Sequence, residues 1–467
     1  MKKILTLLLA ILMILSLCAC GESGENGEAQ MEGLQVGFGR EDITPNFSVG
    51  IGGYSDNETR RSEGFLDYIY STCIAITEGE TTILLFTIDN LAITQSNLNK
   101  LRESVSPATG VPAEHIYALG THTHSAPSIT TNDAEGQKYM EMFYAGAVTA
   151  AQAALEDRSG TTLYSAKTEI EGMNFVRHYL LENGTYAGSN FGDFGAAAIK
   201  EHATAGDPQM VLVKFDRADE AKQDILLVNW QAHPDHAKEN GYTTISADFP
   251  GALRTKVEKD TGMLCAYFTG AAGNQNPDSR ITEEMHNLSM KQYGEKLADH
   301  AIAALPNLTQ VESSGIKTTQ VNFEAEIDHS WDPMLSQANE VYDLWKSEGK
   351  AAGDALGKTY DFTSVYQARA IKTRASMAAT QTLEINAFSV GGIGFTTGTY
   401  EMFSNAGLYV KANSPFETTV IMTGNSGYIP AEAAYDYRSY ESDTGYFAKG
   451  TSEALAEKYV EMLKGLQ

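Results

Sequence analysis

From His115 to Pro127 the chain reads HIYALGTHTHSAP, an apolar run followed by polar residues around two histidines. The apolar half predicts a short buried strand. Because side chains alternate faces along a strand, His122 and His124 point to the same side if the strand continues through them. Two imidazoles on one face can bind a metal, although a pair of hydrogen-bonded surface histidines has the same pattern. Further ligands from distant parts of the chain would favour the metal.

Two later stretches repeat the arrangement of an apolar strand that ends in polar residues. The strand predicted at 224–230 is followed by QAHPDH, which places His233 at its end and His236 shortly after. The strand predicted at 264–268 runs into GAAGNQNP at 270–277, where the small residues let a ligand approach the backbone. Sites in α/β proteins lie at such strand ends.

Predicted strands and helices alternate along the chain, with no repeats and no internal linker. This order predicts an α/β fold with mixed β-sheets flanked by helices. We expect helices near 95–105, 138–156 and 284–304, and a peripheral hairpin of two helices at 332–347 and 356–377.

Four polar residues near predicted element ends are further candidates. Thr399–Phe403 is predicted to begin a helix, so that Glu401 lies in its first turn, where a carboxylate is favourable. Arg177 lies in a turn-like segment and is expected to be exposed. Asp89 follows a strand and Asp248 opens a helix. Each of these two carboxylates either orients a histidine ring or serves as an ordinary cap or turn residue.

Composition limits the partners that the protein can have. The chain has 467 residues and a formal net charge of −26. That charge excludes nucleic acid as an expected partner, because phosphate binding needs a basic surface. Two of the four cysteines lie near the N-terminus. The other two, Cys73 and Cys265, form either a disulfide or two buried free thiols.

The first 20 residues are predicted to be a lipoprotein signal peptide. Two lysines precede an apolar run, and the closing LCAC resembles a bacterial lipobox with Cys20 as the lipidated residue. Ordinary signal cleavage is the alternative. Residues 21–33 are rich in Gly, Glu and Ser, which predicts a flexible linker before a folded domain at 34–467. We therefore expect an exported protein anchored to the outer face of the cell membrane.

Taken together, the motifs resemble those of the neutral/alkaline (non-lysosomal) ceramidase family. The matching segments occur in the family's order, at 39–45, 120–127, 229–233, 270–277, 401 and 428–441. The resemblance implies that 34–467 is a ceramidase-like catalytic domain without the family's C-terminal β-sandwich.

The resemblance also implies a set of site residues. One catalytic Zn²⁺ would be bound by His122, His233, Glu401 and Tyr428, with His236 as the alternative to His233. Roles at the reacting carbonyl would fall to three further residues, His124, Arg177 and Tyr440. The loop residues that would contact the substrate are Asn274 and Asn276.

A departure from the family bears on the substrate. Ceramidases carry a serine where this chain has Asn276, so ceramide itself stays open as a substrate. The resemblance implies a zinc-dependent hydrolase that cleaves a linear amide (N-acyl) bond of a small or lipid-like substrate through metal-activated water. One alternative is a zinc esterase acting on a glycan or cell-wall component, and another is a lipoprotein that binds a ligand without turning it over. A complete ligand set would favour an enzyme.

Overall fold

The computed structural model describes residues 33–54, 60–130, 133–189, 191–195, 197–237, 242–281, 288–424 and 427–467. The predicted signal peptide with Cys20 and the linker as far as residue 32 lie outside these residues. Within the described ranges, none of the helices combines the length and the apolarity needed to cross a membrane.

The strands fall into two main sheets, one small three-stranded sheet and several short pairs. In chain order they are β1 (Gln35–Asp42), β2 (Gly64–Phe65), β3 (Tyr70–Glu78), β4 (Thr81–Ile88), β5 (Ile116–Gly120), β6 (Ser159–Glu169), β7 (Phe175–Val176), β8 (His178–Leu181), β9 (Tyr186–Gly188), β10 (Ile199–His202), β11 (Gln209–Arg217), β12 (Ile225–Trp230), β13 (Thr244–Ile245), β14 (Leu264–Thr269), β15 (Gln275–Asn276), β16 (Thr309–Val311), β17 (Ile316–Glu326), β18 (Thr380–Val390), β19 (Ile393–Gly398), β20 (Glu401–Met402), β21 (Thr418–Thr423) and β22 (Tyr428–Ile429). The large sheet has the order β14-β12-β11-β6-β1-β3-β4-β5, with β16 beside β6. The second sheet has the order β17-β18-β19-β21.

Some of the helices cover the outer faces of these sheets, and three others pack on one another in a core of their own. The helices are α1 (Gln95–Thr109), α2 (Ala134–Glu156), α3 (Asp248–Thr261), α4 (Met290–Ala304), α5 (Leu335–Glu348), α6 (Lys350–Thr359), α7 (Val365–Arg374), α8 (Ser404–Asn413), α9 (Glu432–Asp436), α10 (Tyr440–Thr444) and α11 (Thr451–Lys464).

Alternation along the strands of the large sheet creates two cores, one on each face. Cys73 and Ala75 of β3 share a core with side chains of α1 and α2. Their neighbours Ile74 and Ile76 point the other way and pack with residues of the second sheet, such as Phe388. The helices α3 and α4 cover the rest of the first face, and α8 and α11 cover the outer face of the second sheet. The layers therefore run helix, sheet, sheet, helix, which confirms the predicted α/β class with mixed sheets flanked by helices.

The two cysteines of the folded part are free thiols, so the disulfide alternative is excluded. Cys73 and Cys265 are both fully buried. Burial raises the pKa of the Cys73 thiol and raises that of Cys265 to about 12. Neither thiol is therefore ionised near neutral pH.

The predicted hairpin at 332–377 is instead three helices, α5, α6 and α7. The break between α5 and α6 falls at Gly349, whose φ of 95° ends the first helix. The break between α6 and α7 contains Asp361, also at positive φ. Trp331 and Trp345 both pack on the apolar interior of this three-helix unit.

Polar groups join the ends of strands from the two sheets. The Thr269 hydroxyl donates to the Thr121 carbonyl at 2.7 Å, and the Thr423 hydroxyl donates to the Gly270 carbonyl at 2.7 Å. These contacts bring the segments that follow β5, β14 and β21 to one place, where most of the predicted site residues lie.

Candidate metal centre

The His-x-His motif lies beyond the end of its strand. β5 ends at Gly120, and His122 has a φ of 71°, in the left-handed region. The strand does not continue through the two histidines, so the condition for aligning them by strand alternation is not met. The backbone turns instead because the His122 amide donates to the Asn90 carbonyl at 3.0 Å and the His124 amide to the Pro234 carbonyl at 3.0 Å. The rings still meet, with 3.4 Å between their Nε2 atoms.

Backbone carbonyls fix the orientation of two imidazoles. The Nδ1 atom of His122 lies 2.8 Å from the Leu91 carbonyl, and Nδ1 of His233 lies 2.8 Å from the Ala272 carbonyl. Because a carbonyl oxygen only accepts, each Nδ1 carries the proton and each Nε2 keeps a free lone pair. This is the arrangement in which a histidine binds a metal through Nε2.

Both lone pairs face the same carboxylate. Glu401 Oε2 lies 3.5 Å from His122 Nε2 and 3.3 Å from His233 Nε2. Among the described atoms, Glu401 Oε2 and His233 Nε2 are buried without a hydrogen-bond partner. Unpaired buried polar atoms are rare and costly in proteins. A metal ion bound between these groups would satisfy both atoms, so the residues present fit a metal.

His124 completes a cluster of three imidazoles. The ligand atoms of His122, His124 and His233 all lie within 4.8 Å of one another. Burial lowers the pKa of His122 and of His233 to about 4, and it lowers the pKa of His124 well below its usual value. All three rings are therefore neutral near pH 7, which is the form that binds metals.

Glu401 and Tyr428 are neighbours through a strand pair. β20 and β22 are parallel, and Glu401 lies directly opposite Tyr428 in their register. The prediction that Glu401 begins a helix is wrong, because its amide pairs with the Gly427 carbonyl at 2.8 Å and α8 begins only at Ser404. Burial raises the pKa of both side chains.

Arg177 is buried beside this pair, and the expectation that it is exposed is wrong. Its Nη2 atom donates to the Tyr428 hydroxyl at 3.2 Å and to the Gly273 carbonyl at 3.0 Å. Its Nε and Nη2 atoms also pair with Glu441. Although burial alone would lower it, Glu441 raises the pKa of Arg177 above its ordinary value. Arg177 is therefore a fixed cation at the edge of the cluster.

The other residues with predicted substrate roles differ in how they are held. Asn276 Oδ1 lies 3.4 Å from Arg177 Nη1, inside the cluster. The Asn274 amide bonds Ser404 through both its ends, at 2.8 and 3.2 Å, which gives it a role in the fold. Its contact with a substrate stays a prediction. The ring of Tyr440 lies 6.2 Å from that of Tyr428, between centroids.

Three alternative residues take other positions. The described cluster contains His233, whereas His236 has its ring 6.1 Å from that of Tyr293. Asp248 accepts the backbone amides of His236 and Ala237 at 2.8 and 2.7 Å, which is a turn role. Asp89 pairs with a single buried arginine at 2.6 and 2.8 Å, which is a structural ion pair.

Two groups next to the cluster were missed by sequence reasoning. Gly53 and Tyr54 cover His124, and the Tyr54 ring lies 5.2 Å from the imidazole. Their signal was the glycine-rich run at 50–54, which shows no phosphate-binding spacing and therefore suggests no site by itself. Glu441 and His178 lie behind Arg177. His178 belongs to no motif of its own, and only its position next to Arg177 in the sequence could have marked it.

The sequence and the fold are similar to those of known proteins. Residues 34–276 match the family described as neutral/alkaline non-lysosomal ceramidase, N-terminal. The neutral ceramidase of Pseudomonas aeruginosa is 17% identical with a TM-score of 0.68, over 93% of this chain and 75% of that chain. A structure described as ceramidase complexed with C2 is 16% identical with a TM-score of 0.65, over 93% of this chain and 76% of that chain. No curated protein sequence matches.

The four-layer fold and the family match together define a ceramidase-like hydrolase. The chain belongs to the neutral/alkaline non-lysosomal ceramidase family.

Proposed function

We propose that the protein is an exported, zinc-dependent hydrolase that cleaves the amide bond of an N-acyl substrate. The observation that carries this proposal is the pair of buried, unpartnered atoms Glu401 Oε2 and His233 Nε2, which face each other at 3.3 Å. Two neutral histidines and a carboxylate form a typical donor set for catalytic zinc. The ligands would be His122, His233, Glu401 and Tyr428.

A bound zinc would supply Lewis acidity, which activates water near neutral pH and polarises the substrate carbonyl. The chain's own residues supply the rest of the reaction. Arg177 and Tyr440 stabilise the negative charge that develops on the carbonyl oxygen. His124, neutral in the resting site, takes the proton lost by the attacking water and delivers it to the leaving nitrogen.

The family and the related structure favour a lipid-like N-acyl compound as the substrate class. Asn276 stands where ceramidases have serine, and its amide oxygen lies beside Arg177 Nη1. An amide at this position can donate and accept hydrogen bonds at once, so it suits a polar group next to the scissile bond. Export and anchoring through Cys20 rest on the sequence of the first 20 residues.

Zinc binding is the first test, made on the full chain extracted in mild detergent. We expect about one zinc per chain, as in other sites with this donor set, and none in His122→Ala or Glu401→Ala. Hydrolysis of a fluorogenic N-acyl amide should fall by more than about 100-fold in both variants, beyond the loss typical of residues that only orient a ligand. Elemental analysis and initial rates give the two results.

A histidine outside the cluster provides the control for this test. His329 pairs with Asp332 at the surface, so His329→Ala should keep both zinc and activity. Parent protein that holds no zinc after reconstitution would refute the proposal. If the protein binds zinc but hydrolyses esters and not amides, the proposed metal site stands and the proposed amide substrate is refuted.

A further inference from the structure

A row of buried and half-buried polar side chains contacts Arg177 through its Nε and Nη2 atoms. Glu441 is fully buried, and its Oε1 accepts from Arg177 Nε at 2.7 Å and lies 2.6 Å from Arg177 Nη2 in an ion pair. Its Oε2 lies 2.8 Å from Nε2 of His178, which is also fully buried. The Nδ1 of His178 lies 2.8 Å from the Tyr437 hydroxyl. We call Tyr437, His178 and Glu441 the support row.

The charges in this row can be assigned from its contacts. Although burial alone would raise it, His178 and Arg177 hold the pKa of Glu441 below its ordinary range, so Glu441 is ionised. Because a carboxylate only accepts, the Nε2–H of His178 donates to Glu441, and Nδ1 of His178 is hydrogen-bonded to the Tyr437 hydroxyl. Every polar atom in the row is paired, and the charge of Glu441 cancels that of Arg177.

We propose that Glu441 and His178 are positioning residues that act through Arg177. They hold the guanidinium so that Nη1 faces Asn276 and Nη2 faces Tyr428. They also compensate its charge next to the metal. This inference rests on the proposed function, because the positioned group is the predicted oxyanion partner and the compensated charge lies beside the predicted ligands.

Charge compensation matters because of where Arg177 lies. Its Nη2 is 3.2 Å from the hydroxyl of Tyr428, one of the proposed ligands. An uncompensated cation at that distance in a buried site would oppose the binding of Zn²⁺. Arg177 can therefore stabilise the oxyanion without weakening the binding of zinc only while the Glu441 side chain beside it is ionised.

The first test measures zinc affinity in the full chain by competition with a chromophoric chelator, without any substrate. Glu441→Gln keeps the size of the side chain and removes its charge. We expect an affinity for zinc about 10-fold lower or more, as for other residues behind metal ligands. In Arg177→Met/Glu441→Gln both charges are gone, and the affinity should return to within about 3-fold of the parent by the same electrostatic argument. A merely structural defect would persist in the double variant.

A second variant separates charge from position. Glu441→Asp keeps the charge and shortens the reach to Arg177. It should bind zinc like the parent, while kcat for N-dodecanoyl-7-amino-4-methylcoumarin falls by about 10-fold with little change in KM, as expected for a contact made in the transition state. In an Arg177→Met background, neither change at Glu441 should lower kcat further, since the two residues act as a unit.

The matched control is another glutamate–arginine pair, in which the arginine is buried and the glutamate largely covered. Glu384 contacts Arg102 at 2.8 and 2.9 Å, and among the described residues its other hydrogen-bond partners are Gln95 and Asn386, neither of which is a predicted site residue. Glu384→Gln should leave zinc affinity unchanged. Equal zinc affinity in the parent and Glu441→Gln, or a further loss in the double variant, would overturn the positioning role and leave the proposed function standing. A parent chain that binds no zinc would refute both.

Discussion

At the scale of single residues, Gly53 shows how closely the cluster is packed. Its φ is 109°, and a Cβ atom there would lie 2.6 Å from the Cβ of His124. Only glycine therefore lets the loop at 50–54 lie against that imidazole. Any larger residue has to move either the loop or the ring.

We expect Gly53→Ala to lower amide hydrolysis by about 10-fold or more, because displacements near 1 Å in an active site have effects of this size or larger. The strain of positive φ should also cost about 1–2 kcal/mol of unfolding free energy. Gly79→Ala separates the two effects, since Gly79 has a φ of 59° with open space around its Cβ position. It should lose stability and keep full activity, as measured by urea unfolding and initial rates. Full activity in Gly53→Ala would show that the loop does not position His124.

Single residues also show where sequence reasoning reaches its limit. The His-x-His motif could be found because its members are adjacent. His233 was the predicted ligand with His236 as its alternative, and the contact that fixes the choice is with the Ala272 carbonyl, 39 residues along the chain. The partner of His178 is 263 residues away, so no local pattern could reveal it.

At the scale of elements, the long strands and helices were predictable because burial imposes a regular period on them. The two-residue pair β20 and β22 was not, because its stability comes from hydrogen bonds between distant segments. That pair places Glu401 opposite Tyr428. The end of the first helix of the three-helix unit was predicted at 347, next to Gly349. The second break was missed because it depends on positive φ at Asp361, which composition alone does not predict.

The three-helix unit reaches the site through α7, contrary to its expected peripheral position. The Tyr366 ring lies 6.0 Å from that of Tyr440, edge to face. We expect Tyr366→Ala to lower kcat by about 2- to 10-fold, since such a ring contact is worth about 0.5–1.5 kcal/mol. Tyr342→Ala is the control, because Tyr342 belongs to the same unit and contacts Trp345 instead. Steady-state rates of the two variants test this prediction. Equal rates would show that Tyr366 does not contribute to catalysis.

At the scale of the whole molecule, the site exists only where the two sheets meet. Asn229 is fully buried, and its amide donates to Phe268 in the large sheet at 3.0 Å and to Ile421 in the second sheet at 2.9 Å. We expect Asn229→Ala to lower the free energy of unfolding by about 1–3 kcal/mol, because two buried carbonyls lose their donor. The exposed Asn99→Ala should be nearly neutral. Urea unfolding of the two variants provides the comparison. Equal unfolding midpoints for Asn229→Ala and Asn99→Ala would mean that the Asn229 amide does not hold the two sheets together.

The fold class could be predicted because the alternation of elements is visible in the chain. The stacking of one sheet on the other could not be predicted. Both faces of the strands are apolar, and the sequence of a strand does not say which other element covers each face. The signal peptide, the linker and the lipidation of Cys20 stay predictions from composition.

The two imidazoles that face Glu401 are oriented by main-chain oxygens, those of Leu91 and Ala272. Every amino acid carries the same carbonyl, so substitutions at positions 91 and 272 leave these two hydrogen bonds in place as long as the backbone keeps its course. The alignment of the two rings is thus protected against most point mutations at these two positions. Divergent relatives can change the side chains around the cluster while they inherit the same geometry.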